Sequence, residues 1–274
     1  MAWLPPQLFE LRTRPSRPLA WILGTSSLAL LLLVWWWLTR GSEPEFRILS
    51  PVVLPSPAEV WRSAPSLFLE RGLFRGIAAT LERVGLGFAL AVVVGVPLGI
   101  LAGAWRPFDA FLAPLSLFGR NVPIAALVPL TIVWFATGEL QKVMFIFIAC
   151  VPFVFGSAAQ AVLDVGDRYV DTALTLGANR RQIILKVLVP LALPSIYNGL
   201  RVLFGLAFGY IMLAEVINAQ HGLGFLLNMS QRLGLSEHVY LILVLIGLIA
   251  YGIDRLLWWF QQGLFPHISS TEEG

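Results

Sequence analysis

The chain is poor in the residues that carry most protein chemistry. Cys150 is its only cysteine, it has three histidines, and charged residues make up 13% of its 274 positions. A lone cysteine inside an apolar run can make neither an intrachain disulfide nor a cysteine cluster for zinc or iron–sulfur, which leaves it a packing role. His221, His238 and His267 show no H-E-x-x-H or similar spacing, and no G-x-x-x-x-G-K-[ST] loop is present to cradle a nucleotide. If ATP drives this protein, another chain binds it. Gly222-Leu223-Gly224 is a fragment of a dinucleotide fingerprint without its third glycine or a preceding strand, and is discarded as such. With no metal-ligand or nucleophile constellation, a membrane enzyme is set aside. No tract is dense enough in Lys and Arg to engage nucleic acid, although the net charge is +3.

What is present is apolar. Hydrophobic residues reach 57%, ten are tryptophan, and the mean hydropathy is +0.78. These values predict an all-α polytopic membrane protein. After a segment 1–18 carrying Arg12, Arg14 and Arg17, the run 19–38 is long enough at about 1.5 Å per residue to cross a hydrocarbon core of about 30 Å. It exceeds a signal-peptide core of roughly 7 to 15 residues, so a retained first transmembrane helix is expected. The connection 39–77 holds Pro44, Pro51, Pro55, Pro57 and Pro65 and cannot be one spanning helix. Within it, Ser56-Pro57-Ala58-Glu59 reads as an N-cap, a first-turn proline and an acidic first turn. The apolar Val60, Trp61, Leu67, Phe68 and Leu69 that follow suit an interfacial helix.

The transmembrane core is expected over 78–260, with a tail at 261–274. From about Ala78 to Trp105, small residues recur at every fourth position, Gly87, Ala91, Gly95, Gly99 and Gly103. Such a face permits close helix approach, either in the bundle or against a second copy. The run from Phe108 to Ala136 is interrupted at Arg120-Asn121-Val122-Pro123 and again at Pro129. Broken helices in lipid line protein or water-filled cavities, so Arg120, Asn121, Pro123 and Pro129 are candidate pathway residues. Further spans are read at Met144–Leu163, Leu191–Ile217 and Val239–Phe260, giving about six in all.

One stretch, 164–190, cannot stay in lipid. It carries Asp164, Asp167, Arg168, Asp171, Arg180, Arg181 and Lys186. At roughly 2.5 to 3.5 kcal/mol each, these charges would cost on the order of 20 kcal/mol at mid-bilayer. Yet Ile183, Ile184, Val187, Leu188 and Leu191 form an apolar stripe at helical spacing, with Gln182 and Lys186 opposite. A solvated segment with a structured face reads as a docking surface. Even span number puts both termini on one side, but eight basic residues there against seven on the other give no decisive bias; the short basic N-terminus favours cytoplasmic ends.

Within this stretch Asp171-Thr172-Ala173, three residues, Gly177, nine residues and Val187-x-Val189-Pro190 resemble the E-A-A-x3-G-x9-I-x-L-P motif of permease subunits of binding-protein-dependent ABC importers. The departures are Asp for Glu, Thr for the first Ala, and Val for Ile and Leu. Leu54-Pro55-Ser56-Pro57, Gly95-Val96-Pro97-Leu98-Gly99, Gly138-Glu139, Gly199-Leu200-Arg201 and Ala214-Glu215 are similar to the nitrate, sulfonate, taurine and bicarbonate branch. The resemblance covers most of 54–260. It implies a type I ABC importer permease fold in a bacterial inner membrane, and two cytoplasmic ATPase subunits that hold ATP and Mg while this chain binds no cofactor itself. It further implies a periplasmic or lipid-anchored binding protein, and a second permease copy as a homodimer. It assigns ATPase coupling to Asp171, Thr172, Ala173, Gly177, Ala178, Asn179 and Pro190. The competing reading is an ion-gradient-driven secondary transporter or channel, with Glu215, Asp254 and Arg120 as coupling groups.

Other charges are weighed singly. Glu215, near the outer end of its span, is a costly intramembrane carboxylate, and a hydrogen-bonded structural role is preferred to contact with an anionic solute, a gate role being the alternative. Arg201 is expected to snorkel to the cytoplasmic interface rather than pair. Glu82–Arg83 and Asp254–Arg255 read as partly self-neutralising or interhelical pairs. The tryptophans at 35–37 and 258–259 are expected in interfacial belts.

Overall fold

In a computed structural model, residues 16–41 and 47–266 are described, apart from the side chains of Arg17 and Asn218. Arg12, Arg14, Pro44, His267 and most of the tail 261–274 lie outside the described residues. Helix α1 (Arg17–Leu38) is almost wholly surface, as suits a helix whose neighbour is lipid. Its inward anchor is Trp35, whose Nε1 donates to Pro55 O at 2.9 Å and whose ring lies 6.2 Å from that of Tyr240. The predicted interfacial helix is two short ones, α2 (Pro57–Arg62) and α3 (Ala64–Leu69). Ser56 and Glu59 form a capping box at the start of α2, and Arg47 clasps Glu59 through two nitrogens at 2.9 and 3.0 Å. Val60 and Leu67 are buried, whereas Trp61 and Leu69 are exposed.

The long helices α4 (Leu73–Ala104) and α7 (Glu139–Leu163) form the central pair. The small-residue face of α4 meets α7. A Cβ on Gly87 would lie 2.6 Å from Val143 O, and one on Gly99 2.6 Å from Phe155 O. Missing side chains thus set the approach of the two backbones, and the face belongs to this intrachain contact rather than to a seam with a second copy.

Helices α5 (Arg106–Asn121) and α6 (Ile124–Phe135) are bent by 102° at their junction, so the broken span is present as a bent pair. The break falls at Val122-Pro123, where pre-proline Val122 is extended and Pro123 precedes the first turn of α6. Pro129 sits inside α6 without ending it.

Beyond α7 come α8 (Asp167–Thr175), α9 (Arg180–Ile183), α10 (Val189–Asn218), α11 (Leu223–Arg232) and α12 (Ser236–Leu264). The core collects Phe145, Ile146, Phe208, Ile211, Leu223 and Ile242, all buried. Among the described residues five helices are long and apolar enough to span, or six with the bent pair, matching the sequence expectation, and there is no strand. The edges moved. The second span begins at Leu73, and the fifth at Arg180 rather than Leu191, because helix runs on through the charged stretch.

Candidate functional site

All seven charges of the 164–190 stretch are exposed, and its turn is closed from both sides. Thr175 ends α8, and Gly177 takes a left-handed φ of 80°, which an L side chain adopts only under strain. The Ala178 N–H then bonds Ala173 O and the Gly177 N–H bonds Leu174 O, both at 2.9 Å, satisfying the last carbonyls of α8. Asn179 opens α9 with a capping box, accepting from Gln182 N at 3.0 Å while its own N–H donates to Gln182 Oε1 at 2.8 Å. Asp171 and Thr172 remain exposed. Ala173 is buried against its own chain, with Ile183, Leu188 and Ala192, so its small size serves internal packing rather than the approach of a partner. The predicted stripe holds at Ile183 and Leu188, which are buried, but Leu191 faces outward.

Pro190 lies in the first turn of α10. A π turn at Ile184–Leu188 joins α9 to α10, with Val189 N–H reaching back to Ile184 O. The wider ring interrupts the regular ladder just where proline lacks a donor, so helix continues through it.

Two further clusters hold the pathway candidates. Between α5, α7 and α10 lies a cavity of about 480 Å³ lined by Asp109, Ser116, Arg120, Gly156, Ser157 and Gln160, among others. Ser116 Oγ donates to Pro152 O at 3.2 Å, and the Arg120 guanidinium rests over Gly156. Asn121 is turned back on its own helix, donating Nδ2 to Leu117 O at 2.7 Å. Pro123 and Pro129 do not line this cavity.

At the other end of the bundle, Glu215 of α10 is fully buried. Its carboxylate accepts from Thr80 Oγ1 at 2.9 Å, Arg83 Nη1 at 2.7 Å and the Gly224 N–H at 2.9 Å. Arg83 also donates to His221 O at 2.6 Å and makes a two-point pair with Glu139, at 2.5 and 2.8 Å. The Thr80 hydroxyl in turn accepts from Leu223 N–H at 2.9 Å. Gly222 and Gly224, discarded as a nucleotide motif, form the seat of this carboxylate: a Cβ on either would collide with Glu215. One guanidinium from α4 therefore joins α7, α10 and the turn before α11.

Residues 95–268 match the binding-protein-dependent transport system inner membrane component family, more than half of the chain. The chain belongs to this family. The permease is 33% identical to the taurine transport system permease protein TauC of Escherichia coli (strain K12) over 89% of each chain. It is 31% identical to the bicarbonate transport system permease protein CmpB of Synechococcus elongatus, over 73% of this chain and 72% of that one. Its fold is like that of a chain of the MetNI methionine ABC transporter in an inward-facing conformation, with a TM-score of 0.65 at 23% identity over 73% of this chain and 97% of that one. A chain of a bacterial alginate ABC transporter, solved with a periplasmic protein, matches at a TM-score of 0.56 and 14% identity over 90% and 95% of the two chains. The fold is thus that of a type I ABC importer permease, and the chain is an ABC importer permease subunit rather than a secondary transporter or channel.

Sequence reasoning picked out Glu215 and favoured the hydrogen-bonded environment that the permease gives it, but it missed Thr80 as a partner of Glu215 and Glu139 as the partner of Arg83. Arg83 was visible beside Glu82 as a charge near the start of a span; its partners were not. Arg201 does not snorkel alone: its Nε and Nη2 reach Asp254 of α12, the nearer contact at 2.6 Å, which also makes Asp254 interhelical rather than paired with Arg255. The Arg255 guanidinium lies over the Trp258 ring, 4.6 Å from its centre.

Proposed function

We propose that two copies of this permease form the translocation pathway of a bacterial inner-membrane importer for a small organic or inorganic anion of the sulfonate, taurine, bicarbonate or nitrate type. A periplasmic or lipid-anchored binding protein delivers the solute. Two cytoplasmic ATPase subunits hold ATP and Mg; this chain performs no catalysis and binds no cofactor. The carrying observation is the doubly closed turn from Ala173 to Asn179, which with the exposed Asp171 and Thr172 just before it stands between the two long helices α7 and α10. A turn locked at both ends moves as a unit, so ATPase closure against Asp171, Thr172, Gly177, Ala178 and Asn179 is passed through Pro190 into α10. The anion assignment follows the solutes named for the relatives. Glu215, locked to Arg83, serves as the outer gate of the pathway. Arg120 and Asn121 border its inner portion, with Pro123 and Pro129 shaping the broken helix behind them.

The test is reconstitution of the permease with its ATPase and binding protein in proteoliposomes. Gly177→Trp is expected to abolish copurification of the ATPase and ATP-driven uptake while leaving the permease folded by circular dichroism. Uptake that survives deletion of Asp171 to Asn179 without ATPase would overturn the coupling role.

A further inference from the structure

Two arginines of the spanning helices are held by carboxylates of other helices. Arg83 is matched by Glu139 and Glu215, and Arg201 by Asp254. Arg120 has no ion pair among the described residues. Its guanidinium lies against Gly156, seven residues before the cytoplasmic end of α7 and so about 10 Å inward along that helix. An uncompensated cation at that depth is expensive unless it faces water or a counter-charge.

The placement is built. A Cβ at position 156 would lie 3.0 Å from Arg120 Nη1, so the glycine is what lets the guanidinium lie flat on α7. One turn earlier, Gly119 lies against Pro152, and the Ser116 hydroxyl ties α5 to α7 through Pro152 O. The neighbouring Ser157 is pressed onto Gly199 of α10. Three helices thus border an open cavity of about 480 Å³, at whose edge Arg120 and Gln160 are exposed and into which Ser116 and Ser157 bring further polar groups. The carboxylate in its lining, Asp109, is eleven residues from Arg120 on the same face of α5, roughly 16 Å along the helix and beyond ion-pair reach. Gln160 donates to Asp164 Oδ1 at 2.7 Å, which leaves its carbonyl oxygen facing outward from that contact.

We propose that this cavity is a resting site for the oxyanion headgroup of the transported solute, with Arg120 as its charge-recognising group and the Ser157 hydroxyl as a neutral donor. A guanidinium fork matches the paired oxygens of a sulfonate, carboxylate or bicarbonate, which a lysine would meet only as a point charge. Asp109, in the same lining, places a like charge roughly 16 Å from Arg120, which confines tight holding of an anion to the Arg120 end. The inference rests on the pathway reading given above.

Cys150 is buried, so a thiol placed in the cavity is readily made the sole reporter by Cys150→Ala. Ser157→Cys in that background, with the permease and its ATPase in phosphatidylcholine vesicles, is treated with methanethiosulfonate ethylsulfonate and with its trimethylammonium counterpart. Each rate is divided by that on free mercaptoethanol. The anionic reagent is expected to react about tenfold faster than the cationic one, and Arg120→Gln to bring the ratio near one while Arg120→Lys retains it in part. Gln160→Cys serves as a second reporter should the first pack poorly. A ratio unmoved by Arg120→Gln at both positions overturns the site, as does failure of both reagents to label either thiol. Charge-selective labelling that leaves ATP-driven uptake intact would uphold an anion site while removing it from the pathway, so the two failures are separable.

Discussion

Gly224 donates its backbone N–H to the carboxylate of Glu215 at 2.9 Å, across the chain reversal between α10 and α11. The turn is therefore held by a charge, and that charge is held by Arg83. In a fully buried pair of this kind, removing one partner strands the other without water.

Arg83→Leu is accordingly expected to destabilise the permease by about 3–5 kcal/mol, because Glu215 is left buried with Thr80 and one backbone amide as its remaining partners. Arg83→Leu combined with Glu215→Leu should recover part of that loss. Thermal unfolding in detergent reads both, and a double variant that melts below Arg83→Leu would refute the account.

The α4–α7 contact predicts a contrast between glycines on one helix. Gly99→Val forces atoms into Phe155 O and Ala158, and overpacking of this sort typically destabilises by about 1–3 kcal/mol. Gly85, with nothing within 4 Å of its would-be Cβ, should accept alanine and gain up to about 1 kcal/mol from helix propensity. Equal melting shifts for the two substitutions would mean that the helices are not in this contact.

At Gly177 the strain is backbone strain, since no atom lies within 4 Å of the missing Cβ. Gly177→Val should lower ATPase stimulation and loosen the turn, at about 1–2 kcal/mol for a branched residue in the left-handed region, whereas Gly177→Asn should be milder. Hydrogen exchange at Ala178 and Asn179 distinguishes this from lost contact with a partner, because the change appears in the isolated permease.

The Arg47 guanidinium holds the Glu59 carboxyl well below the usual carboxylate range, at about 2, and the hydrogen bonds of the α2 cap act in the same direction. The sign follows from the depression: the link stabilises fully above the unfolded value near 4.5 and is lost as pH falls through about 2. Proteolysis of the 47–72 connection should therefore stay slow from neutral pH to about 4 and rise below that. Glu59→Gln should make it faster at neutral pH and flatten the acid dependence; an unchanged profile would deny the clasp any role.

How far these features could be read in the chain depends on how local they are. The solvated elbow was legible because seven charges, a glycine and a proline lie within 27 residues, and because capping and turn chemistry act over three or four positions. The outer cluster was not, since Thr80 and Glu215 are 135 residues apart and Arg83 and Glu139 56, and nothing in either neighbourhood names the other. Arg201 was misjudged for the same reason: its carboxylate is 53 residues away. The small face of α4 announced a close approach but not whose, because glycine spacing constrains distance and leaves the neighbour's identity to topology.

That π turn sets an angular phase. From Arg180 to Ile217 the helix runs for 38 residues, about 57 Å, so its cytoplasmic foot and the Glu215 end turn together. The wide ring holds one residue more than an α ring over nearly the same sweep, whereas each residue of the α ladder is worth about 100° of rotation. Deleting one residue between Ile184 and Leu188 would therefore restore an α ring with both ends nearly in phase, whereas deleting one from the regular ladder of α10 would turn the exposed elbow about a quarter-turn relative to Glu215. The wide ring thus takes up one residue locally, and the regular ladder beyond it fixes how one end of the helix is turned relative to the other.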